Sequence, residues 1–294
     1  MLKKVSFIIL AGIVALSASC NKDGSPVPAP EQMDEIVFKA GGPAFDANVS
    51  TKATVVNNDN LTAFNVAAAT GDAGSSDAVV WNTAFSKDGT IFKGGKYWPA
   101  TNPGYHFYAA NSSITVGASG GTVDVTNDVD VVCSYLESSN VSYKGTSTLS
   151  FRHIFARIGD VTVSAASGYT LSDVSITITP KTGGTYNIFT GRNSADGTGW
   201  SATTDGAATV ISLATAGTKD DNDIYLVPGE YTLTASWTAT NGNYTDTFTN
   251  KTKTVSIQGG KVNKITTTLG GEAEDIIFDV IVADWGENTI PVNF

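Results

Sequence analysis

The chain has 294 residues and a formal net charge of −10, from 18 Lys+Arg against 28 Asp+Glu, with only 16% of its residues charged. That acidity excludes the basic, phosphate-neutralising surface on which nucleic-acid binding depends, and two cysteines exclude a disulfide framework. Thirty glycines and abundant Ser and Thr describe a turn-rich all-β protein, and the length suits two domains.

Taken in chain order, Met1–Ser19 opens with Lys3 and Lys4, continues through the apolar run Val5–Leu16, and ends on Ser17-Ala18-Ser19 before Cys20. A charged start, an apolar run too short to span a bilayer and small residues at the cut predict an export signal. The cysteine directly behind them resembles the lipobox of bacterial lipoproteins, with Ser17 where that pattern prefers leucine. The resemblance implies lipidation of Cys20 and an outer-membrane lipoprotein. Several acyl chains on one residue hold a soluble domain at a membrane far better than one, since each buried methylene contributes about 0.8 kcal/mol. Residues 20–33, with Pro26, Pro28 and Pro30, form an acylated spacer too poor in apolar side chains to build a core.

Glu35–Ala40 follows as a first strand with Ile36 and Phe38 on one face and Val37 between them. Leu61–Ala69, Val79–Trp81, Tyr105–Ala110, Thr122–Val125 and Val129–Tyr135 continue the series between Gly, Asn and Asp clusters. Leu149–Ile158 is taken as the crossing into a second series: Val161–Ser164, Leu171–Thr179, Thr185–Ile188, Val210–Leu213 and Ile224–Val227. Pro228-Gly229 then predicts a hairpin into Tyr231–Trp237, whose Tyr231, Leu233, Ala235 and Trp237 share a face. Gly259-Gly260 predicts a second hairpin between Phe248–Gln258 and Lys261–Leu269, and Ile276–Trp285 closes the set. The expected organisation is a signal over 1–19, a spacer over 20–33, and β-sandwich domains over 34–150 and 151–294.

Together these motifs resemble the fimbrillin family, the subunits and anchors of type V pili in Bacteroides-like bacteria. They are the lipobox and the lone first strand, then Thr51-Lys52-Ala53-Thr54, Leu61-Thr62-Ala63-Phe64 and Phe151-Arg152-His153. Tyr225–Leu233, Gly260-Lys261-Val262-Asn263 and Asp284-Trp285 complete them. The resemblance implies two tandem transthyretin-like β-sandwiches and assembly by strand exchange. A trypsin-like protease would cut between Lys52 and Ala53, releasing the strand that carries Ile36, Val37 and Phe38. A strand from another pilus subunit would fill the vacated groove by β-augmentation. Lys52 stands where the family has Arg, and it also fits a plain solvated loop lysine. The tail, with Ile290, Val292 and Phe294 on one face, is a possible donor, although Pro291 lacks an N–H and suits only an edge position. The partners implied are other subunits, the processing protease, the outer membrane and host or bacterial surface ligands in adhesion.

Signals of chemistry are few, and the chain is not expected to be an enzyme or to carry a metal or cofactor. Cys133 sits in a strand-like run and reads as a small buried hydrophobe. His106 and His153 lie in no metal-binding spacing and read as hydrogen-bonded structural residues. Asp220-Asp221-Asn222-Asp223 lacks the EF-hand order and reads as a solvated turn. The alternative function is a surface glycan-binding lipoprotein that stacks sugars on Tyr97, Trp98, Tyr105, Trp200 or Trp237, although Trp237 shares a core face and Trp98-Pro99 suggests a turn.

Overall fold

Alternation of apolar and polar side chains along short segments builds an all-β chain, as the periodicity predicts. The computed structural model describes residues 33–42, 56–57, 59–117, 119–125, 130–194, 196–219, 224–271 and 277–284. In chain order its strands are β1 (Glu35–Gly41), β2 (Ala63–Thr70), β3 (Ala78–Asp88), β4 (Ile91–Tyr97), β5 (His106–Ala110), β6 (Thr115–Gly117), β7 (Gly120–Val125), β8 (Val132–Leu136), β9 (Thr146–Ser150) and β10 (Arg152–His153). They continue as β11 (Ala156–Ala165), β12 (Thr170–Ile178), β13 (Lys181–Asn187), β14 (Trp200–Asp205), β15 (Thr209–Leu213), β16 (Gly217–Lys219), β17 (Ile224–Leu226), β18 (Gly229–Asn241), β19 (Tyr244–Ile257), β20 (Lys261–Leu269) and β21 (Ile277–Asp284). The only helical turns among the described residues are a 3-10 turn at Ser138–Asn140 and α1 (Ile188–Gly191).

The first half of the chain forms one eight-stranded sheet in the order β10-β8-β5-β2-β3-β4-β1-β9. Its two end strands, β9 and β10, are separated in sequence by Phe151 alone, so the sheet curls until it nearly closes. This differs from the two facing sheets expected of a sandwich. Inside the curl lie Ile36, Phe38, Phe64, Val66, Phe85, Phe92, Phe107, Leu149 and Phe151. Gly94 of β4 permits this packing, because a Cβ there would lie 2.7 Å from the Phe85 ring.

The second half is a sandwich. One sheet runs β16-β11-β20-β21, with β17 also on β11, and the other runs β15-β12-β18-β19. Tyr231, Leu233, Ala235, Trp237 and Ala239 alternate inward from β18, on the face their spacing predicts. Trp237 anchors this core, stacked on Phe248 at 4.7 Å, with its indole N–H donating to Gly270 O at 2.9 Å.

A third core joins the halves. β7 pairs with β13 in the sheet β14-β13-β7-β6. Ala67, Ala69, Tyr108 and Cys133 pack there with Phe155, Tyr186, Ile188 and Tyr225. β2 is therefore buried on both faces: Phe64 and Val66 point into the first core, Ala67 and Ala69 into the third. Contacts group Asp34–Phe294 as one unit.

Two predicted hairpins are corrected. β17 pairs with β11, not β18, and β20 pairs with β11 and β21, not β19. Pro228-Gly229 and Gly259-Gly260 therefore carry the chain from one sheet of the sandwich to the facing one. Such arches keep consecutive strands on opposite sides of one core, so no backbone ladder forms across them. The tight hairpin in this region is β18–β19, where Asn241 opposes Tyr244 across Gly242-Asn243 and Gly242 has φ +61°. Leu149–Ile158, the expected crossing, comprises the end of β9, all of β10 and the start of β11.

Two predictions follow from this packing. Phe38→Ala removes a fully buried ring and should cost about 3–5 kcal/mol in urea unfolding; a loss below about 1 kcal/mol would contradict the placement of β1. Burial pushes the Cys133 thiol up to about 12, well above the ordinary value of about 8.5. The thiol should therefore stay protonated and inert to a thiol reagent at pH 8 in the native chain and react fully in denaturant. Rapid native labelling would contradict it.

Candidate functional site

The site of interest is the slot that β1 fills. β1 pairs antiparallel with β4, Val37 opposite Lys93 and Phe38 opposite Phe92. On its other edge it pairs in parallel with β9, from Val37 opposite Thr146 to Gly41 opposite Ser150. The ladder extends past both ends: Trp98 N–H donates to Asp34 O at 2.9 Å, and Phe151 N–H donates to Gly41 O at 2.8 Å. An N-terminal strand lying inside a sheet, rather than at its edge, has both rows of backbone groups engaged.

The side chains split as the alternation predicts. Ile36 and Phe38 are fully buried, whereas Val37 is half-buried on the other face. The Phe38 ring meets Phe85 at 5.1 Å and Phe107 at 5.0 Å, both edge-on, the arrangement that places a positive ring edge on a negative face. Phe64 continues the cluster, 4.5 Å from Phe92 and 5.0 Å from Phe151. Without β1, the remaining walls would be the facing edges of β4 and β9 and the floor would be phenylalanine and leucine. Unpaired N–H and C=O groups above an apolar floor are what an extended segment needs for strand addition.

The chain re-enters the described structure at Val56, and its N–H donates to Asp130 Oδ2 at 2.7 Å. Asp130 is itself buried, and its Oδ1 meets His153 Nδ1 at 2.8 Å. Asn111 fixes Asp130 in turn, donating to its carbonyl oxygen at 2.9 Å and accepting from Val132 N–H at 2.9 Å. Val56 is thus tied to the body of the first half by a backbone hydrogen bond that does not involve β1.

Both histidines are structural, as their context predicts. His106 and the Tyr108 hydroxyl share Asp77 Oδ1, the tyrosine at 2.9 Å, and Gly74 N–H donates to Asp77 Oδ2 at 2.6 Å. Burial and the neighbouring Asp77 push the Tyr108 phenol far up, so it acts as a neutral donor. Asp77 and Asp130, the partners of the two histidines, were not legible from sequence because they lie 29 and 23 residues away from them. Among the described residues no group of three or more His, Cys, Asp or Glu side chains could hold a metal ion.

The aromatic residues singled out for sugar stacking do not form a platform. Trp98, Tyr105 and Trp237 are buried, and Trp98, expected in a turn, packs on Tyr105, Phe107 and Tyr143. Trp200 is half-buried against Phe155 and Tyr186 and donates to Ile154 O, which leaves only Tyr97 about half exposed. Cys20, Lys52, Ala53, Asp220–Asp223 and the tail residues Ile290, Val292 and Phe294 lie outside the described residues.

Solved structures share this architecture at low sequence identity. A fimbrial protein from Bacteroides vulgatus superposes with a TM-score of 0.54 at 15% identity, covering 85% of this chain and 99% of the other. A proposed cell adhesion protein from Parabacteroides distasonis gives 0.52 at 13% identity, covering 87% and 98%. No curated protein matches the sequence. The fimbrillin-like family model matches residues 50–285, most of the sequence, and the chain belongs to that family.

Proposed function

We propose that this chain is a subunit of a type V pilus in which β1 is a removable placeholder. Its role is structural and adhesive rather than catalytic, in keeping with the family. In this reading the precursor is exported, acylated at Cys20 and displayed on the outer membrane. A trypsin-like protease cuts between Lys52 and Ala53, β1 departs with the lipid, and the trimmed chain joins the fimbrium by taking a neighbour's strand. Ile290, Val292 and Phe294 form the candidate donor tail. In this reading 34–150 and 151–294 are two transthyretin-like domains, the first curled into one nearly closed sheet and the second an open sandwich, joined through the shared third core.

The observation that carries this reading is the burial of Ile36 and Phe38 in a strand hydrogen-bonded on both edges. Energetics make such a strand exchangeable. Burying two large apolar side chains contributes about 3–6 kcal/mol, and the ladder adds about 1 kcal/mol per net hydrogen bond. Holding a free seven-residue segment costs about 4–15 kcal/mol in lost freedom. While β1 is covalently attached that cost is largely met by the tether; after a cut the terms are of similar size and a competing strand can displace it. The Val56–Asp130 clamp supports the location of the cut upstream of Val56, because it would keep the new N-terminal flank in place while β1 leaves.

Lys52→Ala should abolish trimming and leave full-length monomer, whereas the native chain yields a ladder in mildly heated surface material that collapses on full boiling. N-terminal sequencing of the collapsed band should start at Ala53. A different start, or a ladder undiminished in the variant, would contradict the assignment of Lys52.

A further inference from the structure

The nearly closed sheet leaves a seam. β8 pairs with β10 through Cys133 and Val132, so among the described residues Ser134–Leu136 is laddered to β5 alone, and β9 only to β1. Between these two edges lies a cleft of about 870 Å³, within the size range of small-ligand sites, roughly 300–1,000 Å³. The chain closes it at both ends, through Phe151 on one side and through the turn Ser138–Asn140 on the other.

Its charge runs against the rest of the molecule. Arg152 and Arg192 both line the cleft in a chain of net charge −10, and neither is in an ion pair with a carboxylate among the described residues. Each is held by neutral groups. Arg152 Nη2 donates to the Tyr186 hydroxyl and to Gly191 O. Burial pushes the Tyr186 phenol far up despite the adjacent guanidinium, so it cannot neutralise Arg152. Arg192 Nη1 donates to Phe189 O at 2.5 Å, and its guanidinium lies 3.7 Å from the Phe189 ring centroid. Both cations are half-buried and oriented before any ligand arrives. Glu137, also at the cleft, is exposed and bonded to neither.

Ser134, Ser142, Thr146, Thr148 and Ser150 line the cleft as well, beside Lys261 and apolar Leu136, Phe151 and Ile188. Side-chain hydroxyls both donate and accept, which suits a polyol, and a planar guanidinium matches a carboxylate fork. We propose that this cleft binds a carboxylated sugar, with the acid group taken by Arg152 and Arg192 and the ring hydroxyls by the Ser and Thr row. The site is separate from the β1 slot and does not rest on strand exchange.

Calorimetric titration of the full-length chain tests it. The probes are a glucuronic-acid-containing oligosaccharide, a neutral glucose oligosaccharide of the same length and a hexaglutamate peptide. The acidic sugar should bind one site, at least about tenfold tighter than either control, and Arg192→Gln and Arg152→Lys should each weaken it about tenfold or more. The thermal unfolding midpoint of Arg192→Gln, measured alongside, separates loss of binding from loss of fold, because a variant still folded at the titration temperature reports on binding alone. Equal binding of the neutral sugar, hexaglutamate binding as tight as the acidic sugar, no binding at millimolar concentration, or unchanged affinity in both variants would each overturn the assignment.

Discussion

The contact on which the first half depends is Phe38 set edge-on between Phe85 and Phe107, because it fixes β1 between two strands that otherwise share no ladder. β4 comes from the β2-β3-β4 run and β9 from the end of the first half, and among the described residues β1 is the only element laddered to both. With β1 in place the eight strands form one continuous sheet whose ends meet at Phe151. Without it, β9 loses its ladder to β1 and the aromatic floor faces water. A free energy of this kind is strongly conditional: the slot is well filled by β1, and poorly tolerated empty.

The third core gives that conditionality a wider consequence. β2 is buried on both faces, so a change in the curled sheet is felt by Ala67 and Ala69, which pack with Phe155 and Ile188 from beyond residue 150. β7 of the first half is laddered to β13 of the second. A fibre built from such subunits would transmit tension through a backbone ladder and an apolar core rather than through a bare linker. The same closure creates the seam at β8 and β9, so the basic cleft and the β1 slot occupy opposite edges of one strand, β9.

Much of this was legible in the sequence where a residue's neighbours along the chain decide its fate. Ile36 and Phe38, the inward row of β18 and the buried Cys133 all follow from alternation at period two. What period alone does not show is which strand comes next in space. Pro228-Gly229 and Gly259-Gly260 were visible as turns, but a turn reads the same whether the chain doubles back along its own sheet or arches to the facing one. β4, Ile91–Tyr97, was hidden because Gly94-Gly95 and two lysines break its pattern, although Asp88-Gly89 in front of it is a hairpin signal. The clamps Asp77 and Asp130 and the meeting of Arg152 with Arg192 are products of long-range folding, and no local rule exposes them.

The central claim is that β1 must leave for another chain's strand to enter, and a reversible staple across its ladder tests it most directly. Val37 and Lys93 are register partners on β1 and β4, so a Val37→Cys, Lys93→Cys chain can be joined by a disulfide. After protease treatment, oligomerisation is followed by light scattering under oxidising and reducing conditions. The account predicts that the cut, oxidised chain stays monomeric and polymerises once reduced. Equal polymerisation in both states would contradict it.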